Sequence, residues 1–296
     1  MAAIKKRRIM NDTPYAIVMI LPNILLFFAF MLFPIIWTLI MSLNQYDLIG
    51  PMNFVGIGNY IAIFKDPVAL ETLRNTVVFT FITVPVGLVI SLILAVLLDS
   101  GIHYQRVYRA AFFLPSITSW VAIAVVWQWL YNPEFGLINY FLGFFGVPSI
   151  QWLTTSKLSL ISVCIVCIWK NAGYSMLLFL AGLQGISTNY YEASELEGAG
   201  PFQQLIHITI PLLTPTTFFV FVTSIIGSFQ TFDIINLMTK GGPGRSSSLL
   251  AHYLYQNAFK YMKMGYASAL AYLLFFVIML ITIINMQFEK KSHEIY

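Results

Sequence analysis

Charge is what this sequence most lacks. Asp, Glu, Lys and Arg make up 9% of its 296 residues, where a soluble domain carries about 25%. So few charges cannot coat a water-exposed surface, which excludes an ordinary soluble domain. The net charge is only +4 and forms no basic stripe, so nucleic-acid binding has no support. Cysteine is scarce as well. Cys164 and Cys167 are the only two, and their C-x-x-C spacing suits redox or metal chemistry. Both sit in an apolar run with no histidine near them in sequence, and they read as small apolar residues of a membrane helix. The histidines, His103, His207, His252 and His293, are scattered over loops, loop–helix junctions and the tail. No catalytic cluster is suggested by that scatter. A phosphate loop is missing, because residues 241–248 lack its lysine and spacing, and neither G-x-S-x-G nor H-E-x-x-H occurs. Enzyme chemistry on this chain is therefore not expected.

What the sequence has is apolar residue, 58% of the total, gathered in long blocks. A helix needs about 20 mostly apolar residues to cross a bilayer core. Six stretches qualify: 16–43, 76–98, 110–131, 158–183, 215–238 and 266–286. Thr13 and Pro14 suit the start of the first as cap and first helical residue. Lone strands leave backbone groups unsatisfied in lipid, and the runs lack the alternation of a barrel, so the fold class is all-α membrane protein with about six transmembrane helices. The first run is too long for a signal peptide and ends in no A-x-A-like site, so it reads as a retained span.

Orientation follows lysine and arginine. With the N-terminus inside, the inner positives are Lys5, Lys6, Arg7, Arg8, Arg106, Arg109, Lys290 and Lys291. The outer ones are Lys65, Arg74, Lys157, Lys240, Arg245, Lys260 and Lys263. The counts nearly balance, and the four residues directly before the first span decide for an inner N-terminus. An even number of spans then puts both termini in the cytoplasm. The chain divides into a tail over 1–15, a transmembrane domain over 16–288 and a tail over 289–296.

The loop over 184–214 falls on the cytoplasmic side and carries no lysine or arginine at all. It reads as two short helices with a hinge. Ser187 or Thr188 caps the first, with Glu192, Glu195 and Glu197 close to its positive end. Gly198 suits a left-handed C-terminal cap, Pro201 the first turn of the second helix, and Pro211 ends that helix. Tyr190, Tyr191, Leu196 and Phe202 are apolar anchors. The expectation is a rigid elbow that docks another protein.

The residues Glu192-Ala193-Ser194, then Gly198, then Ile208-Thr-Ile210-Pro211 resemble the EAA loop of binding-protein-dependent ABC importers. The family pattern is Glu-Ala-Ala, three residues, Gly, nine residues, Ile-x-Leu-Pro. Ser194 and Ile210 depart from it, both conservatively in size. More of the chain is similar to the maltose-type branch: Phe54-Val-Gly-Ile-Gly-Asn-Tyr60, Arg109-Ala-Ala-Phe-Phe-Leu-Pro115, Asn132-Pro-Glu-Phe-Gly-Leu-Ile-Asn139, Leu180-Ala-Gly-Leu-Gln-Gly-Ile186 and Thr239-Lys-Gly-Gly-Pro243. The last resembles an element typical of the first, maltose-F-like permease subunit, here in a short form without the large external domain. The resemblance implies the type I importer permease fold. It implies an ATPase subunit seated on the loop, with Glu192, Ala193, Ser194, Glu197, Gly198 and Pro211 as coupling residues. It further implies a second homologous permease, two ATP-binding subunits that hold ATP and Mg, no cofactor on this chain, and an extracellular binding protein that delivers a sugar. The location implied is the bacterial inner membrane.

Polar groups inside a span are costly and face cavities or one another. Lys170, Asn171, Tyr174, Ser224, Ser228, Gln230, Thr231 and Asp233 supply hydroxyl-pairing groups, with Phe229 as a stacking face. Each serves either as a substrate contact or as a bond between helices. In the relatives the sugar sits among the last three helices near these positions, and Tyr174, Ser224 and Ser228 align best. An unpaired, lipid-facing Lys170 is not tenable. It gates the path, pairs with a carboxylate such as Asp233, or binds an anionic substrate. The competing reading, a transporter driven by an ion gradient, would want internal repeats and coupling carboxylates. It leaves the elbow unexplained.

Overall fold

The computed structural model describes residues 13–101 and 103–293, with side chains over 17–101 and 103–287. The cluster Lys5, Lys6, Arg7 and Arg8, the Thr13 cap with Pro14, and the last tail with Lys290 and Lys291 lie outside those side chains.

The first span is α1 (Thr13–Phe27), a π-turn (Phe28–Leu32) and α2 (Phe33–Ser42). The wide turn has a cause. Pro34 has no N–H and its ring strikes the carbonyl four residues back, so the helix adds one residue to the turn, and Phe33 donates to Phe28. None of residues 17–42 in the most apolar window is buried, which leaves most of this rod facing lipid or a partner, although the Tyr272 hydroxyl of the last span donates to the Ile35 carbonyl at 2.7 Å. A two-residue hairpin, β1 (Asn44–Gln45) with β2 (Asn53–Phe54), and helix α3 (Gly58–Lys65) lead to the second span, α4 (Pro67–Asp99). Asp66 caps α4, with Oδ1 accepting from the Val68 N–H at 2.9 Å. Its Oδ2 accepts from the Tyr253 hydroxyl at 2.6 Å and the Tyr266 hydroxyl at 2.8 Å.

At 33 residues, α4 is about 50 Å long and overshoots the bilayer core at both ends. The third span is not one helix. Helices α5 (Gln105–Ile117) and α6 (Trp120–Leu130) meet at a bend of 100°. The continuous span expected over 110–131 is corrected to a broken pair. Pro115 has no N–H for the helix ladder, and the Ser-Ile-Thr-Ser run over 116–119 gives the backbone other partners. Helix α7 (Leu137–Gly143) follows, then the fourth span α8 (Ser159–Leu183).

The elbow is α9 (Thr188–Leu196), then α10 (Pro201–Gln204), a second π-turn (Leu205–Thr209) and α11 (Ile210–Leu212). The π-turn again precedes a proline, Pro211, and Ile210 donates to Leu205. The helix therefore passes Pro211 and stops at Leu212, one residue beyond the expected end. The fifth span, α12 (Thr214–Phe229), leaves the elbow at 66°. It ends at Phe229, and α13 (Asp233–Met238) is a separate piece, so the span expected over 215–238 is also broken. Helix α14 (Leu250–Tyr255), a third π-turn (Gln256–Lys260) and the sixth span α15 (Met264–His293) close the chain.

The core runs along α8, which is 61% buried over its most apolar window. Val163, Cys164, Val166 and Cys167 pack with Phe79 of α4, Ile123 of α6 and Ile234 of α13. Further along, Met176, Phe179, Leu180 and Leu183 pack with Ala95 and Leu98 of α4 and Val220 of α12. Lipid tails are as apolar as leucine, so close packing and interhelical hydrogen bonds hold these helices together, with no water-driven term between them.

Candidate functional sites, an intramembrane cavity and an elbow

A helix end is difficult inside a membrane, because its last carbonyls have no partner within the helix. Where α5 ends, the partner comes from α8. Lys170 Nζ donates to the carbonyls of Pro115 at 2.9 Å, Ser116 at 3.0 Å and Thr118 at 2.8 Å. Three donors require the charged ammonium, and all three are used. The same nitrogen lies 4.7 Å from the centre of the Trp120 ring. Ser116 completes the joint: its Oγ donates to the Lys170 carbonyl at 2.9 Å and accepts from the Tyr174 N–H at 3.1 Å. The two backbones come so close that a Cβ on Gly173 would overlap the Phe112 carbonyl. Lys170 is 4% exposed, does not line the cavity described next, and does not pair with Asp233.

That cavity, about 320 Å³, opens where α4, α8 and α12 meet the start of α6. Its floor includes the irregular backbone at 230–232. Non-helical backbone is tolerated at membrane depth only against protein or a wet cavity, which is the arrangement here. Helix α12 has 16 residues, about 24 Å, short of the roughly 30 Å core. Seven of the nine residues singled out from the sequence line the cavity: Asn171, Tyr174, Ser224, Ser228, Gln230, Thr231 and Asp233. Ser228 Oγ shares a hydrogen bond with Thr80 at 2.8 Å and donates to the Ile225 carbonyl at 2.8 Å, so this hydroxyl is partly spent on helix packing. Thr231 Oγ1 donates back to Gly227 at 3.0 Å. Asn171, Gln230 and Asp233 are exposed, and Tyr174 is half exposed. Phe229, expected as a stacking face, is 3% exposed and packs with Val84 and Ile225. The aromatic groups that line it with exposed surface are instead Trp120, Tyr174 and Phe232, and Phe79 there is 1% exposed. Sequence reading missed Trp120, although Ser119, which caps α6 by accepting from the Val121 N–H at 3.3 Å, marked a helix start there.

The elbow is built almost wholly from local rules. Ser187 Oγ accepts from the Asn189 N–H and caps α9. Gly198 takes φ +85° with open space where a side chain would go. The Ala199 N–H bonds to the Ser194 carbonyl at 2.9 Å and the Gly198 N–H to Glu195 at 3.0 Å. This pair is the Schellman motif, which closes helix ends by a left-handed residue. Pro201 begins α10, and the Gly200 N–H donates to Gln203 Oε1 at 3.0 Å. The acidic residues differ from expectation, since none lies in the first turn of α9. Ser194 braces the two arms: its Oγ donates to the Tyr191 carbonyl at 2.8 Å and accepts from Gln204 Nε2 at 2.9 Å. The Tyr191 hydroxyl meets Thr209 Oγ1 at 3.0 Å. Tyr191 is therefore internal to the elbow, whereas Leu196 is 91% and Phe202 72% exposed. Glu192, Ala193, Glu197 and Gly198 are exposed beside them, and Pro211 is half-buried at the far root.

Residues 55–292 match the family described as the binding-protein-dependent transport system inner membrane component. The chain belongs to that family. It is the membrane permease of an ABC importer, with ATP hydrolysis on a separate subunit, and the ion-gradient reading is set aside. The permease is 33% identical to the permease protein SmoG of the sulfoquinovosyl glycerol transport system of Agrobacterium fabrum, covering 96% of this chain and 92% of that one. It is 31% identical to the sn-glycerol-3-phosphate transport system permease protein UgpA of Pectobacterium atrosepticum, covering 94% of each. Among solved structures it superposes on the bacterial alginate ABC transporter crystallised with an alginate pentasaccharide-bound periplasmic protein. That match has a TM-score of 0.82 and 21% identity over 93% of both chains.

Proposed function

We propose that this permease moves a carbohydrate or a related polyol, glycerol phosphates included, handed over by an extracellular binding protein. The observation that carries the reading is the cavity, which sets aromatic faces beside amide, hydroxyl and carboxylate groups at membrane depth. Sugars need both kinds of surface, apolar rings for their C–H faces and hydrogen-bonding groups for their hydroxyls. The named substrates of SmoG and UgpA are a sugar glycerol and a glycerol phosphate, which agrees in class.

In this reading the permease pairs with a second, homologous permease and with two ATP-binding subunits that carry ATP and Mg. This chain holds no cofactor and touches no nucleic acid. The elbow presents Leu196 and Phe202, with Glu192, Ala193, Ser194, Glu197 and Gly198, to an ATPase groove. Closure of the ATPases pulls the elbow, and the rigid α11–α12 corner passes that motion to the cavity wall. Both termini lie in the cytoplasm, and the chain sits in the bacterial cell membrane.

The test is a reconstitution of the purified complex with its binding protein, scored for uptake of a glycan and polyol panel. ATP-dependent uptake of a panel member supports the reading. Uptake that runs on a proton or sodium gradient in Gly198→Asp, with the ATPase absent, overturns it.

A further inference from the structure

We propose that Lys170 is a positioning residue that holds the Trp120 ring as the aromatic platform of the substrate cavity, so that its charge sets substrate affinity while it touches no substrate. The inference rests on the carbohydrate reading above.

The argument begins with a side chain that has no local reason to be where it is. A lysine at the middle of a span is costly when nothing pairs it. Lys170 is paired completely, but with backbone. Two of its bonds collect the Ser116 and Thr118 carbonyls at the 100° bend between α5 and α6, and the third joins the Thr118 N–H on the Pro115 carbonyl. The C-terminal end of a helix is negative, so the cation and the helix end attract as well. Trp120 is the first residue of α6, directly after the bend. Its ring takes the ammonium at 4.7 Å while also lining the cavity. A cation held against an aromatic ring attracts it, and more strongly when desolvated. The bend fixes where Trp120 starts, and the ammonium fixes where its ring lies.

Of the other aromatic groups at the cavity, Phe79 is fully buried in the core and Phe232 is occupied by Tyr255, with ring centres 4.5 Å apart. Tyr174, 51% exposed, offers a second ring there, and the Lys170 ammonium lies against Trp120. Trp120 is half-buried, which leaves ring surface for a ligand.

The experiment uses the whole complex with its binding protein, grown on 5-fluorotryptophan. The Trp120 fluorine resonance is assigned by its loss in Trp120→Phe. Uptake is measured with a panel of disaccharides, trisaccharides and glycerol 3-phosphate. In Lys170→Met the Trp120 resonance moves, and half-saturation for the best panel member rises about tenfold with the maximal rate within about threefold. Lys170→Arg, which keeps charge and donors, returns half-saturation towards the wild type. In a Trp120→Ala background Lys170→Met raises half-saturation no further. If Lys170→Met does not assemble, Lys170→Gln, which keeps two donors and loses the charge, is read in the same way. An unmoved Trp120 resonance, an unmoved half-saturation, or an undiminished loss in the Trp120→Ala background overturns the inference. Wild-type complex that takes up no panel member overturns the carbohydrate reading instead, and the fluorine spectrum still decides whether Lys170 holds the ring.

Discussion

The elbow over 187–213 and the bend over 117–120 both interrupt helices, and they satisfy the freed backbone groups in opposite ways. In the elbow, the carbonyl of Ser194 is answered by the N–H of Ala199, a neighbour in the chain. At the bend, the carbonyl of Ser116 is answered by a lysine 54 residues away. The elbow needs a glycine for its conformation, since Gly198 has φ +85° and empty space around it. The bend needs a glycine for its space, since Gly173 has ordinary helical backbone and the Phe112 carbonyl pressed on it. A break exposed to water can be closed locally, because water covers whatever is left over. A break inside the bilayer has to be closed completely, and the missing partners come from another helix.

The same substitution at both glycines gives the sharpest contrast. Gly173→Ala is expected to force α5 off α8 and destabilise the permease by about 1–3 kcal/mol or more, the scale of overpacking. Thermal melting in detergent and the yield of assembled complex are the measurements. A melting temperature equal to the wild type would show that the two backbones have room to part.

Ser116→Ala removes the hydroxyl that ties the Lys170 carbonyl to the Tyr174 N–H. We expect a loss of about 0.5–1.5 kcal/mol, the scale of one interhelical bond, since the Tyr174 N–H keeps the Lys170 carbonyl as its partner four residues back in α8, read by the same melts. Equal melts for Ser116→Ala and wild type would remove this hydroxyl from the joint.

Gly198→Ala meets no clash, and its local conformational strain is about 1–2 kcal/mol. The melt should barely change, because an exposed elbow can yield without unfolding the core. Sugar-stimulated ATPase activity of the complex should fall while basal activity persists. An unchanged ratio of stimulated to basal rate would deny the elbow its mechanical part. Ser194→Ala and Gln204→Ala each break the brace between the two arms, and their double mutant should show a coupling of about 0.5–1.5 kcal/mol. Strictly additive effects would show that the 2.9 Å bond contributes nothing.

The smallest effect is one of pH. Burial works against the Asp66 carboxylate, but bonds from Tyr253, Tyr266 and the N–H groups of Val68 and Ala69 outweigh it and hold the carboxyl below its ordinary value. A carboxyl lowered in the folded state adds stability above its unfolded value, and that stability is lost as pH falls through the folded one. Melts should therefore drop on the acid side of the ordinary carboxylate range, and Asp66→Asn should flatten that part of the curve. Because the group is half exposed, solvent screening keeps the effect small. A drop of the same size in Asp66→Asn would assign it to other carboxylates.

The sequence by itself determined the membrane class, the positions of the unbroken spans and the elbow. Apolar blocks have only one stable form in lipid, and caps, prolines and Gly198 act on residues within about one helical turn. It also named most of the cavity's polar lining, because a polar group inside a span has few places to go. Tertiary structure alone decided how the break in the third span is closed, that Trp120 and not Phe229 faces the cavity, and that Lys170 closes a helix end. Those outcomes rest on which groups meet across helices more than fifty residues apart. Hydropathy records how apolar a segment is. It does not record which neighbour will supply a missing hydrogen bond.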